Sequence, residues 1–160
     1  MPTNPAAQPK VALVIGAGDS TGGAIAKRFA REGYVACVTR RSAVKLQPLV
    51  DEITAAGGQA RGFASDARKE EDVVALIEQI ERDIGPIEVL VFNIGANVPC
   101  SILEETARKY FKIWEMACFS GFLNAREVAK RQVARGRGTV LFTGATAGTR
   151  GAAGFAGFAR

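Results

Sequence analysis

A glycine-rich segment follows a short apolar run near the start of the chain. The run Val11-Ala12-Leu13-Val14-Ile15 leads into Gly16-Ala17-Gly18-Asp19-Ser20-Thr21-Gly22-Gly23, and a helical pattern comes next. Glycines permit a tight turn and a close approach of the backbone to a pyrophosphate, and a following helix N-terminus supplies free N–H groups. The segment therefore predicts a phosphate-binding turn built from Gly16, Gly18, Ser20, Thr21 and Gly22. A glycine turn without a ligand is the alternative interpretation.

A second candidate binding feature is the pair Arg40-Arg41, which follows the apolar run Val35–Thr39. A carboxylate at the end of the second strand would accept a bond from a ribose 2′-hydroxyl and favour NAD. Two guanidinium groups instead suit a 2′-phosphate, because they form bidentate charged hydrogen bonds. The pair therefore favours NADP, with NAD as the other possibility. Asp19 argues against NADP, since it adds negative charge nearby, and the arginines would otherwise be exposed loop residues.

The elements that must position these residues alternate between short apolar runs and longer helical patterns. The predicted strands are Val11–Ile15, Val35–Thr39, Gln59–Ala64, Val89–Asn93 and Thr139–Thr143. Continuous apolar runs are typical of strands that are buried on both faces of a parallel sheet. The pattern predicts a Rossmann-like α/β fold, a doubly wound parallel sheet with strand order 3-2-1-4-5 that ends after strand five.

A long helical region is predicted between strands four and five, from about Glu104 to Arg135. One stripe of this region contains Tyr110, Trp114, Ala117, Gly121, Ala125 and Ala129. Its small members would let another helix approach closely. We therefore expect a homo-oligomer that forms through the helix around residues 112–133.

Composition narrows the class of protein. The 160 residues include no histidine, and Cys37, Cys100 and Cys118 are scattered, so histidine catalysis, a histidine metal site and a disulfide scaffold are excluded. No run of about 18 apolar residues occurs, which excludes a membrane span. The few scattered cysteines favour a reduced, cytoplasmic protein. We expect no metal site. Residues 1–9 contain three prolines and are predicted to be a flexible tail, followed by one domain over 10–160.

The net charge of +5 comes from 21 basic and 16 acidic residues. A basic domain can bind nucleic acid. The densest cluster, however, lies at the end of a predicted helix, where cations suit the helix dipole, and no aromatic residues are interleaved with it. We therefore predict no nucleic-acid partner. The cluster consists of Arg126, Lys130, Arg131, Arg135 and Arg137.

These motifs together resemble the short-chain dehydrogenase/reductase family. Gly16 and Gly22 match the outer glycines of its T-G-x-x-x-G-x-G motif, whereas Ile15 and Ser20 replace its Thr and middle Gly. Asp66 resembles the aspartate that orients the adenine, and Asn93-Ile94-Gly95 is similar to the N-A-G motif. The resemblance implies an NAD(P)-binding domain with Asp66, Asn93 and Gly95 at the cofactor. It also implies hydride transfer between NADP(H) and a carbonyl or alcohol substrate.

The catalytic positions of that family are substituted in this chain. The helix asparagine falls on Cys118, the serine on Ala145, the tyrosine on Phe158, and the lysine lies beyond Arg160. Thr143 and Thr146 flank Ala145 as stand-ins for the serine. The resemblance implies a binding half without the proton-transfer half, as in a fragment, a truncated product or a frameshifted chain.

Two other functions stay open. One is a non-catalytic dinucleotide-binding or interaction module, in effect a truncated pseudo-enzyme. The other is an enzyme that uses different residues, such as the thiol of Cys118, although a small core residue is the favoured interpretation of that cysteine.

Overall fold

Five parallel strands form one sheet in the computed structural model, which describes residues 9–96, 98–151 and 153–157. The strand order β3-β2-β1-β4-β5 confirms the predicted order. The strands are β1 (Val11–Ile15), β2 (Val35–Arg40), β3 (Gln59–Ala64), β4 (Ile87–Phe92) and β5 (Thr139–Phe142). β1 lies at the centre of the sheet, where all five of its residues are buried.

Helices cover both faces of the sheet, which explains why β1 has no polar residue. Leu13 packs into one core with Ile77 and Leu123, and Val14 packs into another core on the opposite face. Burying an aliphatic side chain of this size contributes about 1.5–3 kcal/mol. The helices are α1 (Thr21–Arg31), α2 (Gln47–Ala55), α3 (Glu70–Asp83), α4 (Ala107–Trp114), α5 (Ser120–Arg135) and α6 (Thr146–Arg150).

The predicted long helical region contains two helices with a change of pitch between them. α4 begins at Ala107 and not near Glu104, because the Thr106 side chain caps it by accepting a hydrogen bond from the Lys109 amide at 3.2 Å. Residues Glu115–Phe119 form a π-helical turn before α5. Such turns are rare and often occur at functional sites.

The small residue Gly121 has a different neighbour from the one predicted. A Cβ on Gly121 would lie 3.3 Å from the Phe92 ring and 3.2 Å from the Phe142 ring. Among the described residues, aromatic rings of the sheet therefore take the place of the expected second helix. The stripe is also not uniformly buried, since Tyr110 is exposed and Gly121 is buried.

The basic cluster on α5 is paired with carboxylates. Arg126 pairs with Glu70, Lys130 and Arg131 pair with Glu127, Arg135 pairs with Glu81, and Arg137 pairs with Glu88. The pairs of Arg126 and Arg135 join α5 to α3, and Arg137, which follows α5, pairs with β4. The cluster thus has a structural role, and the absence of a nucleic-acid partner stays a prediction.

Two further sequence predictions concern the N-terminal tail and the presence of a membrane-spanning helix. The predicted tail lies outside the described residues except for Pro9, whose carbonyl oxygen packs against Gly85. No helix in the described ranges is long and apolar enough to cross a membrane.

Candidate functional site

The glycine turn lies between β1 and α1 and packs tightly against itself. A Cβ on Gly22 would lie 2.5 Å from the Gly16 carbonyl oxygen and 2.9 Å from the Asn93 side-chain nitrogen. Gly16 has φ +83°, a left-handed conformation that favours glycine. Asn93 donates a hydrogen bond from Nδ2 to the Gly16 carbonyl oxygen at 3.1 Å. The turn is therefore held by backbone and by one amide side chain, which lets α1 begin directly above it.

The first turn of α1 presents polar groups to solvent. Ser20 precedes the helix, and its side chain makes no capping hydrogen bond. Ser20 and Thr21 are both exposed, whereas Gly22 is buried. Free N–H groups and the positive end of the helix dipole suit an anion here. The structure thus places Gly18 and the other predicted phosphate-binding residues in one turn, and their contact with a ligand stays a prediction.

A cavity of about 340 Å³ opens beside the end of β2. The described residues that line it are Arg40, Arg41, Ser42 and Lys45, three cations and no carboxylate. This basic cavity adjoins the glycine turn, because Thr39 accepts hydrogen bonds from the Gly16 and Ala17 amides at 3.2 and 3.1 Å. Sequence reasoning missed Lys45. A 3₁₀ turn over Ala43–Leu46 brings it back toward β2, and this turn has no distinctive sequence signal.

A hydrogen bond already restrains Arg40 in this cavity. Its Nη1 atom lies 3.4 Å from Asp19 Oδ1 and 3.4 Å from the Lys45 carbonyl oxygen. The opposing charge that Asp19 was expected to add is therefore real and is directed at Arg40. The Asp19 side chain is 94% exposed, so solvent weakens the pair.

A second cavity of about 210 Å³ lies behind the basic one, between the ends of the central strands. Gly16, Arg41 and Asp66 line it together with the apolar side chains of Ile94 and Met116. It shares Arg40 and Arg41 with the basic cavity, and Gly16 of the glycine turn also lines it. We call it the base cavity below.

Asp66 is held in the base cavity by its neighbour Arg68. Arg68 Nε donates to Oδ1 at 2.9 Å, and Nη2 donates to Oδ2 at 2.6 Å. The hydrogen bond from Arg68, together with its charge and the charge of Arg41, lowers the pKa of Asp66 to about 2. Sequence reasoning found Asp66 and missed Arg68, although the spacing of two residues in a loop permits this pairing.

A third and larger cavity of about 560 Å³ lies on the other side of Ile94. Gly95, Cys118 and Ala145 all line it, and none of the described residues around it carries a charge. Cys118 lies exposed in the π-helical turn, and Ala145 immediately precedes α6. Elements distant in the sequence thus bring together the predicted cofactor residue Gly95 and two of the three residues on which the resemblance places the family's catalytic positions.

Of the two threonines that flank Ala145 as possible substitutes for the serine, only Thr143 lines the third cavity. Thr143 lines the third cavity, but its hydroxyl donates to the Phe92 carbonyl oxygen at 3.3 Å. Thr146 is not among the residues that line the cavity, whereas Thr149, which sequence reasoning missed, is one of them. Phe158 lies outside the described residues.

Comparison with known proteins decides the family. The family model described as short chain dehydrogenase matches residues 10–159. The chain belongs to the short-chain dehydrogenase family.

Solved short-chain dehydrogenases share its fold. One from Rhodopseudomonas palustris is 49% identical, with a TM-score of 0.86 over 93% of this chain and 70% of that one. The actinorhodin polyketide ketoreductase with NADPH is 28% identical, with a TM-score of 0.88 over 94% of this chain and 58% of its own. The 7α-hydroxysteroid dehydrogenase with NADH and 7-oxo glycochenodeoxycholic acid is 28% identical, with a TM-score of 0.88 over 95% and 59%. The chain spans about half the length of the curated relatives it matches.

The remaining reactive groups of this short-chain dehydrogenase chain lie apart from one another. Cys37 is buried, and burial raises the pKa of its thiol to about 12. Cys100 is half-buried and, like Cys118, is a free thiol. Within the part of the chain that the structure describes, no three acidic, cysteine or histidine side chains are placed to hold a metal ion.

Proposed function

We propose that this short-chain dehydrogenase chain binds NADP(H), and that its parent activity is hydride transfer between NADP(H) and a carbonyl or alcohol substrate. The observation that carries the choice of cofactor is the basic cavity at the end of β2, with its three cations. The family binds dinucleotides. Of the solved structures compared above, the polyketide ketoreductase contains NADPH and the 7α-hydroxysteroid dehydrogenase contains NADH. The preference for NADP therefore rests on Arg40, Arg41 and Lys45 of this chain.

The residues present fit a dinucleotide in order along its length. The exposed Ser20 and Thr21 leave the N-terminus of α1 open to the pyrophosphate, and the turn below it is too tightly packed to admit a side chain at Gly22. The basic cavity suits a 2′-phosphate, and the base cavity behind it takes the adenine. The third cavity, at Gly95, takes the nicotinamide, which supplies the hydride when it is bound.

The experiment that tests the cofactor choice replaces Arg40 and Arg41 together with Ala. Each lost charged hydrogen bond costs about 1.5–3 kcal/mol, so NADPH binding weakens by at least tenfold while NADH binding changes little. Isothermal calorimetry with both cofactors measures the two losses. The matched control replaces Arg28 and Arg82, which form exposed ion pairs with Glu32 and Asp83, with Ala. An equal loss for both cofactors, or the same loss in the control, contradicts the assignment.

We also propose that this chain transfers a proton to or from the substrate oxygen only slowly. Ala145 has no hydroxyl and Phe158 has no ionisable group, so neither can donate a proton to the substrate oxygen. Cys118, a free thiol, lines the third cavity together with the hydroxyl-bearing Thr143 and Thr149. The comparisons give no support to the alternative of a non-catalytic module.

A further inference from the structure

Arg68 stands out among the described residues because it binds both oxygens of a carboxylate that lines a cavity. Its Nε and Nη2 atoms donate to Asp66 at 2.9 and 2.6 Å, and its backbone amide donates to Asp66 Oδ1 at 3.2 Å. Three hydrogen bonds fix the plane of the carboxylate. A bidentate pair of this kind gives geometric specificity that a lysine does not provide.

The position of this pair shows what it faces. A dinucleotide with its pyrophosphate at the glycine turn and its ribose at Arg40 and Arg41 places its base in the next cavity. That base cavity has apolar walls at Ile94 and Met116, which suit the faces of a flat ring. Asp66 lies at its edge, with a side chain only 18% exposed. The edge of the base therefore meets a carboxylate.

We propose that Arg68 is a positioning residue that holds Asp66 as a fixed acceptor and so makes the base cavity selective for an amino-purine over an oxo-purine. This inference rests on the proposed function. An ionised carboxylate accepts hydrogen bonds and donates none. The exocyclic amino group of adenine donates to it, whereas the carbonyl oxygen at the same place in hypoxanthine is repelled.

Two further charged residues, Arg41 and Glu115, act on the Asp66–Arg68 pair. The charge of Arg41 also acts on the Asp66 carboxylate from the basic cavity. Without the Arg68 side chain, the carboxylate loses two of its hydrogen bonds, and the charge of Arg41 still acts on it. Arg68 itself is anchored from the opposite side, since its Nη1 atom lies 4.0 Å from Glu115 in the π-helical turn. Replacing Arg68 with an uncharged residue therefore removes a positive charge beside Asp66 and also removes the side-chain hydrogen bonds that orient its carboxylate.

The test compares the binding of NADPH with that of its deaminated analogue, in which hypoxanthine replaces adenine. Both dissociation constants are measured by nicotinamide fluorescence for the unaltered chain and for Arg68→Gln, Arg68→Lys, Asp66→Asn and the double variant. The unaltered chain prefers NADPH by about ten- to a hundredfold, the size of a hydrogen bond to a charged group. Arg68→Gln loses most of this preference, and Arg68→Lys, which keeps a charge without the bidentate geometry, keeps part of it.

The double variant separates positioning from general stability. If Arg68 acts through Asp66, the double variant has the same base preference as Asp66→Asn alone. Arg82→Gln, which breaks only an exposed pair with Asp83, serves as the control and keeps the full preference. Thermal unfolding confirms that each variant is folded, and Arg68→Lys replaces Arg68→Gln if the latter does not fold.

Each outcome of the measurement has a separate meaning. An unaltered preference in a folded Arg68 variant overturns the role of Arg68 and leaves NADPH binding intact. The absence of a preference in the unaltered chain also overturns it. The absence of any NADPH binding overturns the proposed function itself, and with it this inference.

Discussion

The ion pair between Asp19 and Arg40 provides a prediction about single residues. Asp19 lies 3.4 Å from the guanidinium that we assign to the 2′-phosphate, so it competes with that phosphate. Exposed pairs are worth about 0.2–1 kcal/mol. We expect Asp19→Asn to strengthen NADPH binding by about two- to fivefold and to leave NADH binding unchanged, as measured by calorimetry at constant salt. Asp51→Asn, an exposed position on α2, is the control, and an equal gain there would mean that only the net charge matters.

The lowered pKa of the Asp66 carboxyl makes the free energy of unfolding depend on pH. Its pKa is about 2 in the folded chain, against an ordinary value of 3.8, mainly because Arg68 donates hydrogen bonds to the ionised form. A lowered pKa stabilises the fold above pH 3.8, and this contribution disappears as the pH falls toward 2.

We expect Asp66→Asn to be less stable than the unaltered chain at pH 5, with the difference in unfolding free energy shrinking as the pH falls. Urea titrations between about pH 5 and pH 2.5 measure it. A difference that stays constant over this range would show that the charge of Asp66 does not contribute.

The glycine turn is the element whose geometry is most restrictive. A Cβ on Gly22 would lie within 2.9 Å of three atoms of Gly16, Ala17 and Asn93, and two of these belong to backbone. A Cβ on Gly95 would meet no heavy atom within 4 Å, so Gly95→Ala serves as the matched control for stability alone. We expect Gly22→Ala to cost about 1–3 kcal/mol of stability and to weaken NADPH binding at least tenfold. Gly95→Ala leaves the stability unchanged. Thermal unfolding and cofactor titration measure both effects, and equal stability of the two variants contradicts this account.

The whole molecule carries an exposed apolar surface on α4, α5 and β5. Phe111 and Phe122 are each 53% exposed, and Phe142 is 58% exposed. Rings along the helices contact one another from Phe111 through Trp114 and Phe119 to Phe122. Contiguous apolar surface of this kind favours association.

We expect the chain to form dimers or larger species in light scattering, and Phe122→Ser to shift it toward monomer. Val44→Ser removes a single apolar side chain that is 83% exposed on a different element, and it leaves the distribution unchanged. A monomer at high concentration contradicts the expected homo-oligomer through residues 112–133.

The activity of the whole chain is our last prediction. Positioned acid–base catalysis contributes about 10²–10⁴-fold, and Ala145 and Phe158 supply no acid or base. We expect turnover of NADPH with aldehydes and ketones at least about a hundredfold below the enzyme median of about 10 s⁻¹. The absorbance of the reduced nicotinamide follows the reaction. Turnover near the median, lost in Cys118→Ala, would assign the proton transfer to the thiol.

Local sequence determined the strands and their order. The run Val11–Ile15 is apolar throughout, which suits only a strand covered on both faces, and β1 has these bounds. Gly16 and Gly22 were also picked out from the local pattern of strand, glycines and helix, and Gly16 does adopt the left-handed backbone that favours glycine. Asp66, in contrast, was named only through the resemblance to the family. The alternation of strands and helices then permits few parallel topologies, since crossovers are right-handed.

Tertiary structure alone decided which side chains meet. Lys45 joins Arg40 through a 3₁₀ turn, and Arg68 joins the base cavity by folding back onto Asp66. The π-helical turn changes the phase of the helical region, so a stripe with period 3.6 did not predict that Gly121 would meet Phe92. The contact of Gly121 with Phe92 depends on the separation and orientation of elements that are far apart in the chain, whereas the pairings of Lys45 and Arg68 depend on the path of a local loop that residue spacing permits but does not dictate. Periodicity and spacing specify each element by itself, whereas packing of the whole sheet and its helices specifies the distances between them.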